Sequence, residues 1–177
     1  MPGYVIHIAI ANEYIRRNKS IENKKELIDG VLAPDSVTDK SLTHYGEYSS
    51  RPNLREYLIQ NELTTDYKKG YFLHLLTDYL FYNYYIVKPK GVTFYQDYDR
   101  TNKELIEKYD VHLPEELKKY ANISSDLEPE ILKLDLLENM IDEISSVNLE
   151  KAAKEIKNNN YIMIANKKIE TNIFKRV

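Results

Sequence analysis

Apolar residues recur three and four positions apart along most of this chain, a pattern that predicts helices and little else. The first helix is expected from about Tyr4 to Arg17. A second, shorter one lies in "SIENKKELIDG", with Ser20 as its N-cap and Gly30 as its C-terminal stop. "VLAPDSVTDKSLTHYGEYSSRPN" breaks the period with Pro34, Pro52 and several Ser and Thr, and reads as a loop. A short helix follows from about Leu54 to Gln60. Thr64 or Thr65 is placed to cap a long helix reaching about Ile86, which Pro89 and Gly91 close. Next, "YQDYDRTNKELIEKYDVHLPEELKKYA" predicts a helix, a break at Pro114 and a short helix. "EPEILKLDLLENMIDEISS" and "NLEKAAKEIKNN" are two more, the second capped by Asn148. The tail "YIMIANKKIETNIFKRV" fits either a two-strand hairpin around "NKK" or a frayed helix. There is no internal repeat and no linker tract. The expected fold is therefore all-α: a single-domain multi-helix bundle over residues 1–177, with or without a short C-terminal hairpin.

One segment of this pattern carries chemistry. "GYFLHLLTDYLFYNYY", residues 70–85, is apolar and aromatic on every side, yet holds His74 and Asp78. On a helix, residues four apart lie on one face, one turn apart. Buried among apolar neighbours, such a pair needs each other, other polar groups, or a metal ion.

Composition narrows the classes. A net charge of −3 does not suggest a general nucleic-acid or membrane-surface binder. The absence of cysteine excludes disulfides, thiolate nucleophiles and cysteine-type zinc sites. No apolar run has the length of a transmembrane segment. "MPGYVIHIAIANEYIRRN" has neither a charged start before its apolar part nor a small-residue cleavage site after it, so a cytoplasmic location is expected. There is no glycine-rich phosphate loop. The aromatic content is mainly tyrosine, 16 residues, whose apolar ring and polar tip suit half-buried helix faces.

The chain has four histidines, and the contexts of three make a pattern. His7 opens the first helix, His44 follows Asp35 by nine residues in the loop, and His74 shares a helix face with Asp78. Asp35, His44, His74 and Asp78 form a two-histidine, two-carboxylate set of the kind that holds a divalent metal. His7 can add a second metal if the first helix packs alongside. Taken singly, each is more simply a satisfied core or surface residue. His112, in "DVHLPEE", is expected at the surface and away from the metal.

The order "MPGYVIH", "GVLAPDS", "THYG" and "GYFLHLLTD" resembles the zinc-dependent phospholipase C superfamily, which includes the single-strand-specific nucleases. It is most similar to a small, uncharacterised bacterial branch, over roughly residues 1–85. The resemblance implies one zinc ion on Asp35, His44, His74 and Asp78. It implies a second on His7, with Asp78 bridging the two as a catalytic residue. In secreted members the free amino terminus adds a ligand, and here loss of Met1 would make that terminus Pro2. The third metal site of the superfamily needs a histidine shortly after the His-x-x-x-Asp segment. Tyr82 stands one turn beyond Asp78, so that site is expected to be absent or rebuilt, for example on Asp97 and Asp99.

The activity so implied is metal-dependent hydrolysis of a small phosphorylated substrate, a phosphodiester or a phospholipid-like ester. Thr43, Thr77 and Tyr45 are candidates to orient the imidazoles. Arg51, Arg55 and Arg100 are candidates to hold phosphate. The alternative is a metal-binding or interaction protein that keeps the fold with little turnover. Other helical enzymes lack their signatures: no His precedes an Asp, none has a Glu three residues before it, and no Gly-x-Ser-x-Gly elbow is present.

Overall fold

The computed structural model describes residues 2–86, 94–124 and 127–173. The described chain is all-α apart from one short C-terminal hairpin. Helix α1 spans Tyr4–Arg17 and is buried over Val5 to Ala11, so it runs through the core. Helix α2, Lys24–Leu32, is capped by Asn23, whose side chain accepts from the Glu26 N–H. The expected cap Ser20 lies outside it. The backbone N–H groups of Glu22 and Asn23 are held by the Asp66 carboxylate at 2.9 and 2.8 Å.

Gly30 does not stop α2 but lies inside it. A Cβ there would sit 2.0 Å from the Tyr67 carbonyl oxygen, and one on Gly70 would sit 2.0 Å from that of Leu27. The two glycines mark where α2 crosses α5, Asp66–Leu80, backbone against backbone. Thr65 caps α5 by accepting from the Lys68 N–H. Eleven of its fifteen residues are buried, and from Phe72 to Leu80 no face is left for solvent. The helix continues into a π-helical turn, Phe81–Tyr85. The expected closure at Pro89 and Gly91 lies outside the described residues.

The stretch expected to be a loop contains two short elements. A 3₁₀ turn, Ala33–Asp35, extends α2, and α3 spans Ser41–His44. Pro34 at the start of the first and the left-handed Tyr45 (φ 56°) at the end of the second explain why both are brief. Helix α4 spans Leu54–Gln60 and α6 spans Tyr95–Lys108. Glu115–Tyr120 form a 3₁₀ helix after Pro114. Helix α7 covers Leu134–Ser145 and begins later than its pattern, because residues 130–132 are held instead on Asp97. Helix α8, Leu149–Asn159, starts at the expected cap, Asn148.

The tail is a hairpin. Strand β1, Tyr161–Ile164, pairs antiparallel with β2, Lys167–Glu170. Its turn is Ala165–Asn166, both left-handed, so of the expected "NKK" Asn166 lies in the turn and the two lysines begin β2. Two consecutive residues with positive φ match the twist of the strands they join. Ile162 and Ile164 face the core. The Tyr79 hydroxyl, from α5, lies 2.8 Å from the Glu170 carbonyl oxygen and 2.5 Å from that of Ile173. Among the described residues no helix is long and apolar enough to cross a membrane.

Candidate metal centre

The backbone crossing of α2 and α5 sets the site. It brings the Val31 carbonyl within 2.7 Å of His74 Nδ1, which must donate to it. The 3₁₀ turn that follows α2 then carries Asp35 to the same place. Asp35 Oδ1 lies 3.8 Å from His74 Nε2 and 3.7 Å from His44 Nε2. Asp78, one turn beyond His74, sends Oδ2 to within 3.4 Å of His74 Nε2 and 2.9 Å of His44 Nε2. His7 comes from α1, its Nε2 at 3.3 Å from Asp78 Oδ1. The His7 and His74 rings stack at 3.9 Å, with planes 4° apart. All five side chains are buried. His7, Asp35 and His74 form one group that can hold a metal ion, and His44, His74 and Asp78 form another.

His44 is aimed by its own short helix. Its Nδ1 lies 3.0 Å from the Lys40 carbonyl and 3.1 Å from Thr43 Oγ1. The Thr43 hydroxyl is 2.7 Å from the Pro34 carbonyl, and the Tyr71 hydroxyl donates to the Thr43 carbonyl at 2.8 Å. Thr43 therefore orients an imidazole, as expected. Thr77 and Tyr45 do not: the Thr77 hydroxyl donates to Leu73 in its own helix, and the Tyr45 hydroxyl accepts from Asn61.

These hydrogen bonds fix the tautomers. A ring whose Nδ1 donates to a carbonyl presents a lone pair at Nε2 when neutral. His44 and His74 thus turn lone pairs toward carboxylates, an arrangement that requires a cation, proton or metal, between them. Four atoms of the cluster have no protein hydrogen-bond partner among the described residues: both ring nitrogens of His7, His74 Nε2 and Asp78 Oδ1. Buried polar atoms are seldom left so, and the donor set of imidazoles and carboxylates fits a divalent ion.

Electrostatics agree with that demand. Burial, with His74 stacked alongside, pushes His7 down to about 4, so it is neutral near pH 7. Burial also opposes charge on His74, but Asp78 and Asp35, with the Val31 carbonyl, outweigh it and raise its pKa. Burial would raise Asp78, yet the three surrounding histidines hold it well below the usual carboxylate range.

A pocket of about 520 Å³ adjoins the cluster. Its walls include Pro2, Tyr4, Asp35, Lys40, Tyr82 and Tyr98. Of the five clustered residues, Asp35 is the one that reaches this surface.

The other sequence candidates lie elsewhere. Asp97 is saturated by the backbone N–H groups of Glu130, Ile131 and Leu132 at 2.7–2.9 Å, so it is an anchor for that loop. Asp99 lines the pocket but joins no metal-capable group among the described residues. His112 is exposed and pairs with Asp110 at 2.9 Å. Arg51 lies over the Tyr48 ring, Arg55 donates to the Lys157 carbonyl, and Arg100 sits between Asp97 and Glu130. None of the three lines the pocket. Sequence reasoning missed Lys40, whose Nζ lies 2.7 Å from Asp35 Oδ1. Nothing in its spacing marks it, because the contact depends on how the loop folds.

Compared with protein-family models, curated proteins and solved structures, the chain matches none.

Proposed function

We propose that this protein is a metal-dependent hydrolase of phosphoric esters. Asp35, His44, His74 and Asp78 hold one divalent ion, zinc, and His7 with the second oxygen of Asp78 serves another. The observation that carries the metal is the spacing of four donor atoms. Asp35 Oδ1, His44 Nε2, His74 Nε2 and Asp78 Oδ2 are separated by 2.9, 3.4, 3.7 and 3.8 Å in the four pairs that define their outline. Tetrahedral zinc with bonds of about 2.1 Å sets its donors about 3.4 Å apart. Two of the donors face each other as a lone pair and a carboxylate, which a cation resolves.

When bound, such an ion neutralises phosphoryl charge and lowers the pKa of a water toward about 7. The chain's own groups do the rest. Val31, Lys40 and Thr43 hold the imidazole orientations. Asp78 offers one oxygen to each side of the cluster, the arrangement a bridging carboxylate needs. Tyr4, Tyr82 and Tyr98 wall the approach, and the fully buried histidines keep bulk water from the far side. The resemblance of the histidine and aspartate order to the zinc-dependent phospholipase C superfamily supports the choice of phosphoric esters.

One observation favours a second reading, a metal-binding protein with little turnover. His7, His44, His74 and Asp78 do not line the pocket, so a substrate meets the cluster only past Asp35 and Lys40. The two readings separate on metal content of the purified protein followed by turnover of a generic phosphodiester and phosphomonoester. Metal with turnover supports the hydrolase; metal without turnover supports the alternative.

A further inference from the structure

Lys40 touches the oxygen that the metal reading needs. Its Nζ is 2.7 Å from Asp35 Oδ1, the same atom that faces the Nε2 atoms of His44 and His74. Its backbone is fixed in the site, since the carbonyl receives His44 Nδ1 and the His44 N–H. The Asp35 side chain is 1% exposed, whereas that of Lys40 is 24% exposed and borders the 520 Å³ pocket. The ammonium thus stands at the boundary between the buried cluster and the open pocket.

The charge balance gives this position a consequence. With neutral imidazoles, Asp35 and Asp78 contribute two negative charges and Lys40 one positive. A dication changes the sign of that small region from net negative to net positive. It also takes the Asp35 oxygen that the ammonium now holds. A lysine is a point charge on a flexible stem, able to redirect its donors by rotation. The nearest place for it to turn is the pocket.

Resting on the metal-dependent reading above, we infer that Lys40 is a displaceable counter-ion that couples metal loading to anion binding. Without metal it neutralises Asp35. With metal on Asp35 its Nζ turns to the pocket and donates to an anionic oxygen of the ligand there, a phosphate or phosphate ester. The pocket therefore binds its anion tightly only after the cluster is loaded. Charge-assisted hydrogen bonds of this kind are strong enough to set that order. The tyrosine walls leave Lys40 and Lys119 as the two lysines lining it.

The test uses zinc and inorganic phosphate as probes on the full chain, read by calorimetry. Wild type, Lys40→Met, Lys40→Arg and Lys119→Met are compared, with circular dichroism as the folding control. Wild type is expected to bind phosphate at least about tenfold more tightly when zinc-loaded than when metal-free. Lys40→Met should bind zinc more tightly than wild type, since its competitor for Asp35 is gone. Loaded Lys40→Met should lose phosphate affinity by about tenfold or more, and Lys40→Arg should restore much of it. Equal phosphate binding by loaded wild type and loaded Lys40→Met overturns the inference while leaving the metal reading intact. So does loss of phosphate binding in Lys119→Met but not in Lys40→Met. Weaker zinc binding by folded Lys40→Met shows that the lysine supports Asp35 and does not compete for it. A wild-type chain that takes up no zinc overturns the metal reading and this inference together.

Discussion

His7 and His74 lie face to face, ring centres 3.9 Å apart and planes 4° apart, one from α1 and the other from α5. Both turn Nε2 toward the same carboxylate, Asp78, at 3.3 and 3.4 Å. Two stacked imidazoles cannot both carry charge cheaply, and burial holds His7 neutral. The stack therefore aims one ring nitrogen at each of the two oxygens of a single anionic group. Its geometry comes from helix packing and not from local sequence, since residues 7 and 74 share no segment.

Metal uptake and stability should move together. A ligand that binds only the folded state stabilises it by about 2.7 kcal/mol at a hundred times its Kd. For a chain of this size that corresponds to a melting rise of roughly 5–10 °C. Wild type should show this rise with zinc, and His74→Ala and Asp78→Ala should not. Atomic absorption after dialysis against micromolar chelator checks occupancy. Full occupancy in His74→Ala would show that the site is assigned wrongly.

The orienting hydrogen bond on His44 should tune affinity without removing the metal. Thr43→Val keeps the shape of the side chain but deletes the oxygen 3.1 Å from His44 Nδ1. The Lys40 carbonyl still holds the ring. Zinc affinity should fall by about tenfold, the low end for loss of an outer partner. Competition with a chelating dye measures it. Unchanged affinity would mean that the Lys40 carbonyl alone sets the ring.

Much of the fold was legible because it is local. The boundaries of α1 and α4, the Thr65 and Asn148 caps and the joint apolar setting of His74 and Asp78 follow from period and capping chemistry. What depends on another segment was not legible. Gly30 looks the same in sequence whether it ends a helix or lets one backbone press on another. Ser20 and Asn23 are both good caps, and the choice falls to Asn23 because Asp66 fixes the turn before it. Asp97 reads as a free carboxylate in the sequence, and only the folded backbone at 130–132 shows that it is occupied. Lys40 was silent for the same reason.

Asp97 should govern acid stability and leave the metal alone. Burial tends to raise its pKa, but the three backbone N–H groups and Arg100 outweigh this and lower it. A carboxyl with a depressed folded pKa stabilises fully above its unfolded value, about 3.9. That contribution disappears as the pH falls through the lower folded value. Asp97→Asn turns an amide toward backbone donors and should cost about 2–3 kcal/mol near neutral pH. Urea unfolding from pH 7 down to 2 should show the two proteins converging below about pH 4. Zinc stoichiometry should be the same in both. A constant gap down to pH 2 would show that the Asp97 charge contributes nothing.

The crossing of α2 and α5 makes the strongest structural prediction. Alanine is the better helix former by about 1 kcal/mol, so Gly30→Ala and Gly70→Ala would stabilise either helix in isolation. Here each new Cβ would lie 2.0 Å from a backbone carbonyl oxygen, of Tyr67 or of Leu27. Neither carbonyl can rotate away without breaking its own helix, so the helices must separate. Each variant should lose about 2–3 kcal/mol, the range for overpacking a rigid site. Separation also draws the Val31 carbonyl away from His74 Nδ1 and Asp35 away from both imidazoles, so zinc affinity should fall although no ligand is changed. The double variant should cost clearly less than the sum, because the first alanine opens the space that the second needs. Urea unfolding and zinc titration on the two single variants and the double variant provide the cycle. Additive losses with normal zinc affinity would show that the crossing does not position the site.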